Sequence, residues 1–354
     1  MVQGHTFDAL LDPARRSGLA YDAWVFQRGL TSCLFLLLAG FAFTLATTRH
    51  WDRHLRLSRA FGTRLRRFGL FAVLGYGLHF PVRHYADLTG MADERWQSFL
   101  AVDVLQLIGL SLIGLQLLVL VARTPRAFAA TALASCVVIV ISTPLAHSID
   151  WSSRMPPFLG AYLTPATGSN FPLLPWSAYV LFGAALGHVY SRWGALHLAA
   201  FANRVLLIGG AGMLTASLAM SRLPFDIFEP ANALTAIPNQ FLVRVGSVLL
   251  LLGIVAHLSR RIATLPWAFA ALAQESLLVY FVHLCIVYGS IWNPGLLWFL
   301  GATLAPGQIL AIEVVLIGAM VTLALGWNWC KHSHAKAAHV TAYVVLTLLA
   351  LILI

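Results

Sequence analysis

Apolar runs of about twenty residues recur along this chain, each near the length of helix that crosses a bilayer. The stretch over 98–122, for example, holds one charged side chain, Asp103. Lipid offers the backbone no hydrogen-bond partner, so such runs must be helices or the strands of a closed barrel. Strict alternation of apolar and polar residues is absent and the runs are rich in Leu, Ala, Val and Gly, which selects helices. Only 10% of the 354 residues are charged and 59% are hydrophobic. A soluble domain carries about 25% charged residues, so this chain has too few polar side chains to cover a water-facing surface. The expected fold is an all-α polytopic membrane bundle, a single domain over 1–354. About ten helices are expected, near 29–47, 68–83, 98–122, 127–146, 174–190, 205–221, 240–258, 267–290, 307–326 and 338–354.

The formal charge of +10 would suggest nucleic acid in a soluble protein, but here the basic residues sit in short loops. One set of alternate loops, including Arg49 to Arg67, carries 15 of the 23 Lys and Arg, and the positive-inside rule turns that set toward the cytoplasm. The segment before the first full helix, about 6–28, and the C-terminus are then expected outside, in a multi-pass protein of a bacterial cytoplasmic (inner) membrane. The opening Met1-Val-Gln-Gly-His5 reads like the end of an earlier helix. A cytoplasmic N-terminus would place one more helix before Met1, eleven in all; in-frame apolar codons upstream would support this, and an immediate stop codon there would sink it. The four cysteines, Cys33, Cys136, Cys285 and Cys330, form no C-x-x-C pair, so neither a disulfide framework nor a zinc site is expected.

A charge at the bilayer centre costs about 2.5–3.5 kcal/mol on insertion scales, which makes intramembrane ionisable residues functional candidates. They are His79, Asp103, His188, Arg244, Glu275, His283 and Glu313, with His5 at the chain start. His5, His79, Asp103, Arg244, His283 and Glu313 all fall toward the outer half of the bilayer, whereas scattered structural pairs need not share a depth. Asp103 and Gln106, spaced i and i+3, are expected on one helix face; Glu275 and His283, eight apart, are expected near one face of another. Helix-to-helix hydrogen bonds are the bland alternative, at about 0.6 kcal/mol each. Histidine suits a general base near neutral pH, and a carboxylate beside it fixes the tautomer and stabilises the imidazolium.

No G-x-S-x-G, H-E-x-x-H, P-loop or G-x-G-x-x-G is present, so hydrolase-elbow, zincin, kinase and Rossmann chemistry have no support. Loop 49–67 carries seven arginines with His50, His54 and Trp51. It reads as topogenic charge or contact with anionic lipid, or as a mouth whose Arg forks hold phosphates. The long loop 147–173 is the kind that caps a binding site. His332, His334 and His339 near Cys330 read as a solvated loop rather than a metal site.

Several segments in order carry a resemblance: Met1-Val-Gln-Gly-His-Thr-Phe-Asp-Ala-Leu-Leu11, Phe35-Leu-Leu-Leu-Ala-Gly40, Asp103-Val-Leu-Gln-Leu-Ile-Gly109, Phe171-Pro-Leu-Leu-Pro-Trp176 with Gly183 and Gly187, and Ser276-Leu-Leu-Val-Tyr280 with His283. To about residue 290 the chain resembles bacterial proteins related to heparan-α-glucosaminide N-acetyltransferase. The resemblance implies an eleven-helix bundle and transfer of an acetyl group from cytoplasmic acetyl-CoA to a sugar or other polar acceptor beyond the membrane. It places His5 at the family's polar position at the end of its first helix; the histidine that follows in the family has no counterpart between His5 and His50. The expected roles are general base for His5, with His79 or His283 as alternates. Asp103 would orient the base beside Gln106, and Arg64, Arg66 and Arg67 would hold the CoA phosphates. No metal is expected; the partners are acyl-CoA, a polar acceptor and membrane lipids, with oligomerisation left open. The rival readings are a small-solute transporter, which predicts a repeat of broken helices, and a non-catalytic membrane protein.

Overall fold

The computed structural model describes residues 1–82, 84–221, 238–262, 264–334, 336, 340, 341, 344, 345 and 347. Seven of its helices are long and apolar enough to cross a membrane, and a bent pair makes an eighth span if counted as one. The chain is an all-α integral membrane protein. Of the ten expected runs, the one near 68–83 forms a helix whose first half is too basic to count among the seven, and the one near 338–354 lies almost wholly outside the described residues. His339 also lies outside them, as do the expected outer-loop residues Arg83 and Arg222. The chain folds as two compact units, Met1–Arg28 with Gly77–Phe99 and Ala263–Ile354, and Gly29–Tyr76 with Leu100–Ile262.

In the first unit, α1 (Val2–Leu10) is a helix that buries Gly4, Thr6, Ala9 and Leu10 and continues past residue 6, where a loop was expected. Its Ala9, Leu10 and Leu11 join Val287, Ile309, Leu316 and Met320 in one apolar core. Leu304 N–H donates to Leu10 O at 2.9 Å and Asp12 N–H to Leu304 O at 3.2 Å, so the chain after α1 is tied by its backbone. Arg16 closes the C-terminal end of α1 by donating to the Asp8 and Leu11 carbonyls at 3.0 and 2.9 Å, the usual service of a cation at that end of a helix. α2 (Leu19–Thr48) begins ten residues before the expected start, with Asp22 in its first turn where an acid complements the helix dipole. Its first residues belong to this unit and the rest to the other.

The expected helix at 267–290 is two pieces in the structure, α10 (Trp267–Gln274) and α11 (Ser276–Val287), bent by 67° at Glu275. Glu275 and His283 therefore do not share a continuous helix face. After α11, Gly289–Ser290 pairs antiparallel with Asn293–Pro294 as a small hairpin, with Gly289 at φ 88, where a side chain would strain the backbone. The short α12 (Leu296–Leu300) leads to α13 (Pro306–Ser333), which runs past its expected end and takes Cys330, Lys331 and His332 into helix.

In the second unit, α3 (Arg59–Leu78) starts earlier and stops earlier than expected. Pro81 explains the stop: proline lacks the N–H and pushes the residue before it out of helical conformation. The expected helix at 98–122 is α4 (Asp93–Leu100), which belongs to the first unit as far as Phe99, then an extended step and α5 (Val104–Ala122) in the second. α6 (Pro125–His147) begins with Thr124 as its cap, accepting from Ala127 N–H at 3.2 Å, and Pro125 at the first helical position. α7 (Leu173–Gly194) ends in a π turn, and α8 (Leu198–Met220) carries another over Ala202–Ile208. α9 (Pro238–Ser259) completes the unit.

Glycine sets the packing here. A Cβ on Gly40 would lie 1.8 Å from Val180 O, and one on Gly183 would lie 1.9 Å from Leu37 O. The backbones of α2 and α7 thus touch along a seam that only glycine permits, the mode membrane helices use when burial supplies no driving force between them. Thr44 Oγ1 spans the same seam, donating to Ala184 O at 3.0 Å.

Candidate active site

Three of the expected site histidines fall in the first unit. His5, on α1, packs its ring against three aromatic neighbours that α11 and the residue after it present: Tyr280 at 6.2 Å, His283 at 5.3 Å and Tyr288 at 5.8 Å between centroids. Tyr280 and His283 are three apart and so meet on one helix face. The Tyr288 hydroxyl donates to His5 O at 3.3 Å and lies 3.5 Å from His5 Nδ1. Asp8, one turn along α1, pairs with Arg28 of α2. The sequence reading gave no role to Tyr280 or Tyr288; their signal was the i, i+3 pairing of Tyr280 with His283 inside a quoted motif.

His283 is fully buried, and its Nδ1 lies 2.7 Å from Val279 O. A carbonyl only accepts, so Nδ1 carries the proton and Nε2 keeps its lone pair. Among the described residues Nε2 has no hydrogen-bond partner. A buried acceptor left without a donor is costly unless something else supplies one.

Tyr288 also lines a cleft of about 360 Å³ together with Leu78, His79, Phe80, Pro81 and Ser290. That size lies within the range of small-molecule sites. His79 sits just beyond the end of α3 and is exposed. Tyr288 therefore borders both His5 and the His79-lined cleft.

The remaining expected residues belong to the second unit. Asp103 is the cap of α5, its carboxylate accepting from Val104 N–H at 2.8 Å, rather than a residue one turn inside the helix. Asp103 and Gln106 thus stand at the cap and third positions of α5, a capping-box spacing. The long loop 147–173 fixes this point, since Ser169 Oγ accepts from Val102 N–H at 2.9 Å and Val102 O accepts from Phe171 N–H at 3.0 Å. Gln106 is fully buried, and neither its Oε1 nor its Nε2 has a hydrogen-bond partner among the described residues. Its amide lies where a Cβ on Gly75 would be, 2.3 Å from Oε1.

Of the three arginines expected to hold phosphate, Arg66 and Arg67 are exposed. Arg64 is half-buried and occupied: it donates to Thr47 Oγ1 and Gln116 Oε1, both at 3.0 Å, and lies over the Phe43 ring. It joins α2, α3 and α5 from within. Near it His54 is buried, and burial together with the Arg64, His50 and Arg53 charges pushes its imidazole below the ordinary histidine pKa.

Glu275 pairs with Lys331 Nζ at 2.5 Å and accepts from Asn328 Nδ2 at 3.0 Å, and Asn328 also donates to Gln274 at 3.0 Å. The carboxylate is 4% exposed, and this network fills the bend between α10 and α11. Among the described residues no group of three or more His, Cys, Asp or Glu is placed to hold a metal ion. His332 Nδ1 lies 2.8 Å from Asn328 O, as part of the helix.

No curated protein matches the chain, and no solved structure matches it. The family model described as heparan-alpha-glucosaminide N-acetyltransferase, catalytic, matches residues 1–211, which takes in His5, His79, Asp103, Gln106 and the three arginines and leaves α11 outside. With more than half its length so matched, the chain belongs to the heparan-alpha-glucosaminide N-acetyltransferase catalytic family.

Proposed function

We propose that this membrane protein moves an acetyl or related acyl group from cytoplasmic acyl-CoA to the hydroxyl or amine of a polar acceptor, such as a sugar, on the outer side. The observation that carries the reading is the His5–His283 pair beside the cleft, with the His283 tautomer set so that Nε2 can accept a proton. In this reading His5, or His283 in its place, takes the proton as the acceptor oxygen or nitrogen bonds to the thioester carbonyl carbon. The C–S bond then breaks, and the CoA thiolate leaves and recovers the proton. A thioester is reactive enough that this step needs no metal.

Tyr288 holds His5 by its hydroxyl and forms one wall for the acceptor. The exposed Arg66 and Arg67 are the phosphate-holding pair, while Arg64 keeps their helix in place. Asp103 and Gln106 remain in the reading as residues whose part is decided by substitution. The bend at Glu275 speaks for a transporter, but its carboxylate is already engaged by Lys331 and Asn328.

The test is acetyl-CoA binding followed by transfer of labelled acetyl to a panel of amino sugars and sugar alcohols, with the purified protein in detergent. His5→Ala is expected to lower turnover by about 10²–10⁴-fold with the melting profile kept. Arg66→Gln combined with Arg67→Gln is expected to weaken acetyl-CoA binding. A folded His5→Ala variant that turns over like wild type would remove the base from His5, and absence of acetyl-CoA binding in the wild type would remove the reading.

A further inference from the structure

We propose that Arg244 and Trp176 form a binding subsite for a phosphate group in the second unit, separate from the His5–His283 site and independent of whether the protein transfers acyl groups. Arg244 lies within the membrane-spanning helix α9, and a guanidinium there stays charged and needs compensation. Among the described residues no Asp or Glu pairs with it. Its neighbours are neutral: the guanidinium carbon sits 5.5 Å from the centre of the Trp176 ring, and the Cys33 thiol and Tyr179 hydroxyl are within hydrogen-bonding reach. The residue is half-buried, and neither Cys33 nor Tyr179 brings a carboxylate to it.

The second observation is on Trp176 itself. Its side chain is 6% exposed, and its Nε1, which can only donate, is buried with no acceptor among the described residues. An unsatisfied buried donor beside a half-buried cation with no acidic partner among the described residues calls for one group that answers both, an anionic oxygen group. The guanidinium and the indole come from different helices, α9 and α7. A phosphate offers oxygens to both, whereas a carboxylate presents its two oxygens in one plane. Cys33, Tyr179 and the flanking Phe241 ring, 4.8 Å from Tyr179, give the subsite a low-polarity wall that strengthens the charge interaction.

Phosphate reaches such a place either as a soluble phosphate-bearing ligand or as a lipid headgroup, and two probes separate them. Binding to the purified full-length protein in detergent is measured with inorganic phosphate, with phosphatidic acid, and with phosphatidylcholine as the zwitterionic control. Saturable binding of either phosphate probe, with phosphatidylcholine at least about tenfold weaker, is expected. Inorganic phosphate alone marks a soluble ligand and phosphatidic acid alone marks a lipid. Arg244→Gln is expected to weaken binding by about tenfold or more, and Arg244→Lys by less, because lysine keeps the charge and loses the fork. Trp176→Phe keeps an aromatic ring and removes the N–H, and is expected to weaken binding by about three- to tenfold; it carries the test if Arg244→Gln does not fold. Failure of both phosphate probes to bind, binding of phosphatidylcholine as tight as theirs, or a folded Trp176→Phe variant that binds like wild type would overturn the proposal.

Discussion

The seam between α2 and α7 and the bend between α10 and α11 solve the same problem by opposite means. In the seam, Gly40 and Gly183 bring two backbones into contact and almost no polar side chain takes part beyond Thr44. At the bend, the helix is interrupted and polar side chains take over: Glu275, Asn328, Gln274 and Lys331 form one network. The seam tolerates no added atom and needs no charge. The bend depends on charge, carried between side chains rather than to the helix ends, where Glu275 N–H donates to Ala271 O and Glu275 O accepts from Val279 N–H. The difference explains where chemistry is found: the apolar seam holds no candidate base, while α11 carries His283 after its start has been redirected by the bend.

The comparison breaks most readily at the seam. Gly183→Val would drive a side chain into the Leu37 carbonyl, with no flexible group to yield. Overpacking commonly costs about 1–3 kcal/mol, and backbone against backbone places this case above that range. The expected outcome is loss of folded protein in size-exclusion chromatography after detergent extraction. A well-folded variant with an unchanged melting midpoint would mean that the two backbones do not touch as described.

The bend should respond less. Glu275→Gln keeps the shape and the Asn328 contact but leaves Lys331 without its partner. Removing one partner of a fully buried pair costs about 3–5 kcal/mol. The lysine side chain is 40% exposed, and solvent screening brings the expected loss to about 1–2 kcal/mol. The double variant Glu275→Gln with Lys331→Met should recover part of it. If both single variants and the double melt like wild type, the network is not what holds the bend.

These two regions were also unequally legible in the sequence. The bundle itself follows from apolar runs such as Val104–Ala122, since lipid leaves the backbone no alternative. Gly183 and Gly187, four apart, carry the small-residue signal of a packing face, but the partner at Leu37–Phe41 lies far away in sequence and nothing local names it. The bend was invisible: Gln274-Glu275-Ser276 contains neither Gly nor Pro, and its cause is the capture of Glu275 by residues more than fifty positions on. Asp103 was misread for a different reason. An acid followed three residues later by Gln is a helix-start signature, but the apolar run continues through it on the N-terminal side at Phe99 to Val102 and hid the boundary. For the site, the type of residue was legible and the company was not. His5 and His283 were named from their positions, while Tyr288 became a candidate only once the fold brought it to His5.

The smallest effect tests whether the compact second unit has a polar weakness of its own. His54 lies between α2 and α3, buried, with Arg64, Arg53 and His50 near enough to disfavour a further positive charge. Its pKa is lowered in the folded protein and returns to about 6.5 when the chain unfolds. Above that value His54 is neutral in both states and has no effect on the pH dependence. As pH falls below it, the unfolded chain takes up the proton first, so folding stability falls with pH until the folded protein is protonated as well. The melting midpoint of wild type should therefore decline between about pH 6.5 and 5, and His54→Gln, which cannot titrate, should decline less over the same window. An identical slope in the two proteins would mean that the arginines around His54 do not act on it, and that the charge of this loop is spent on the solvent side.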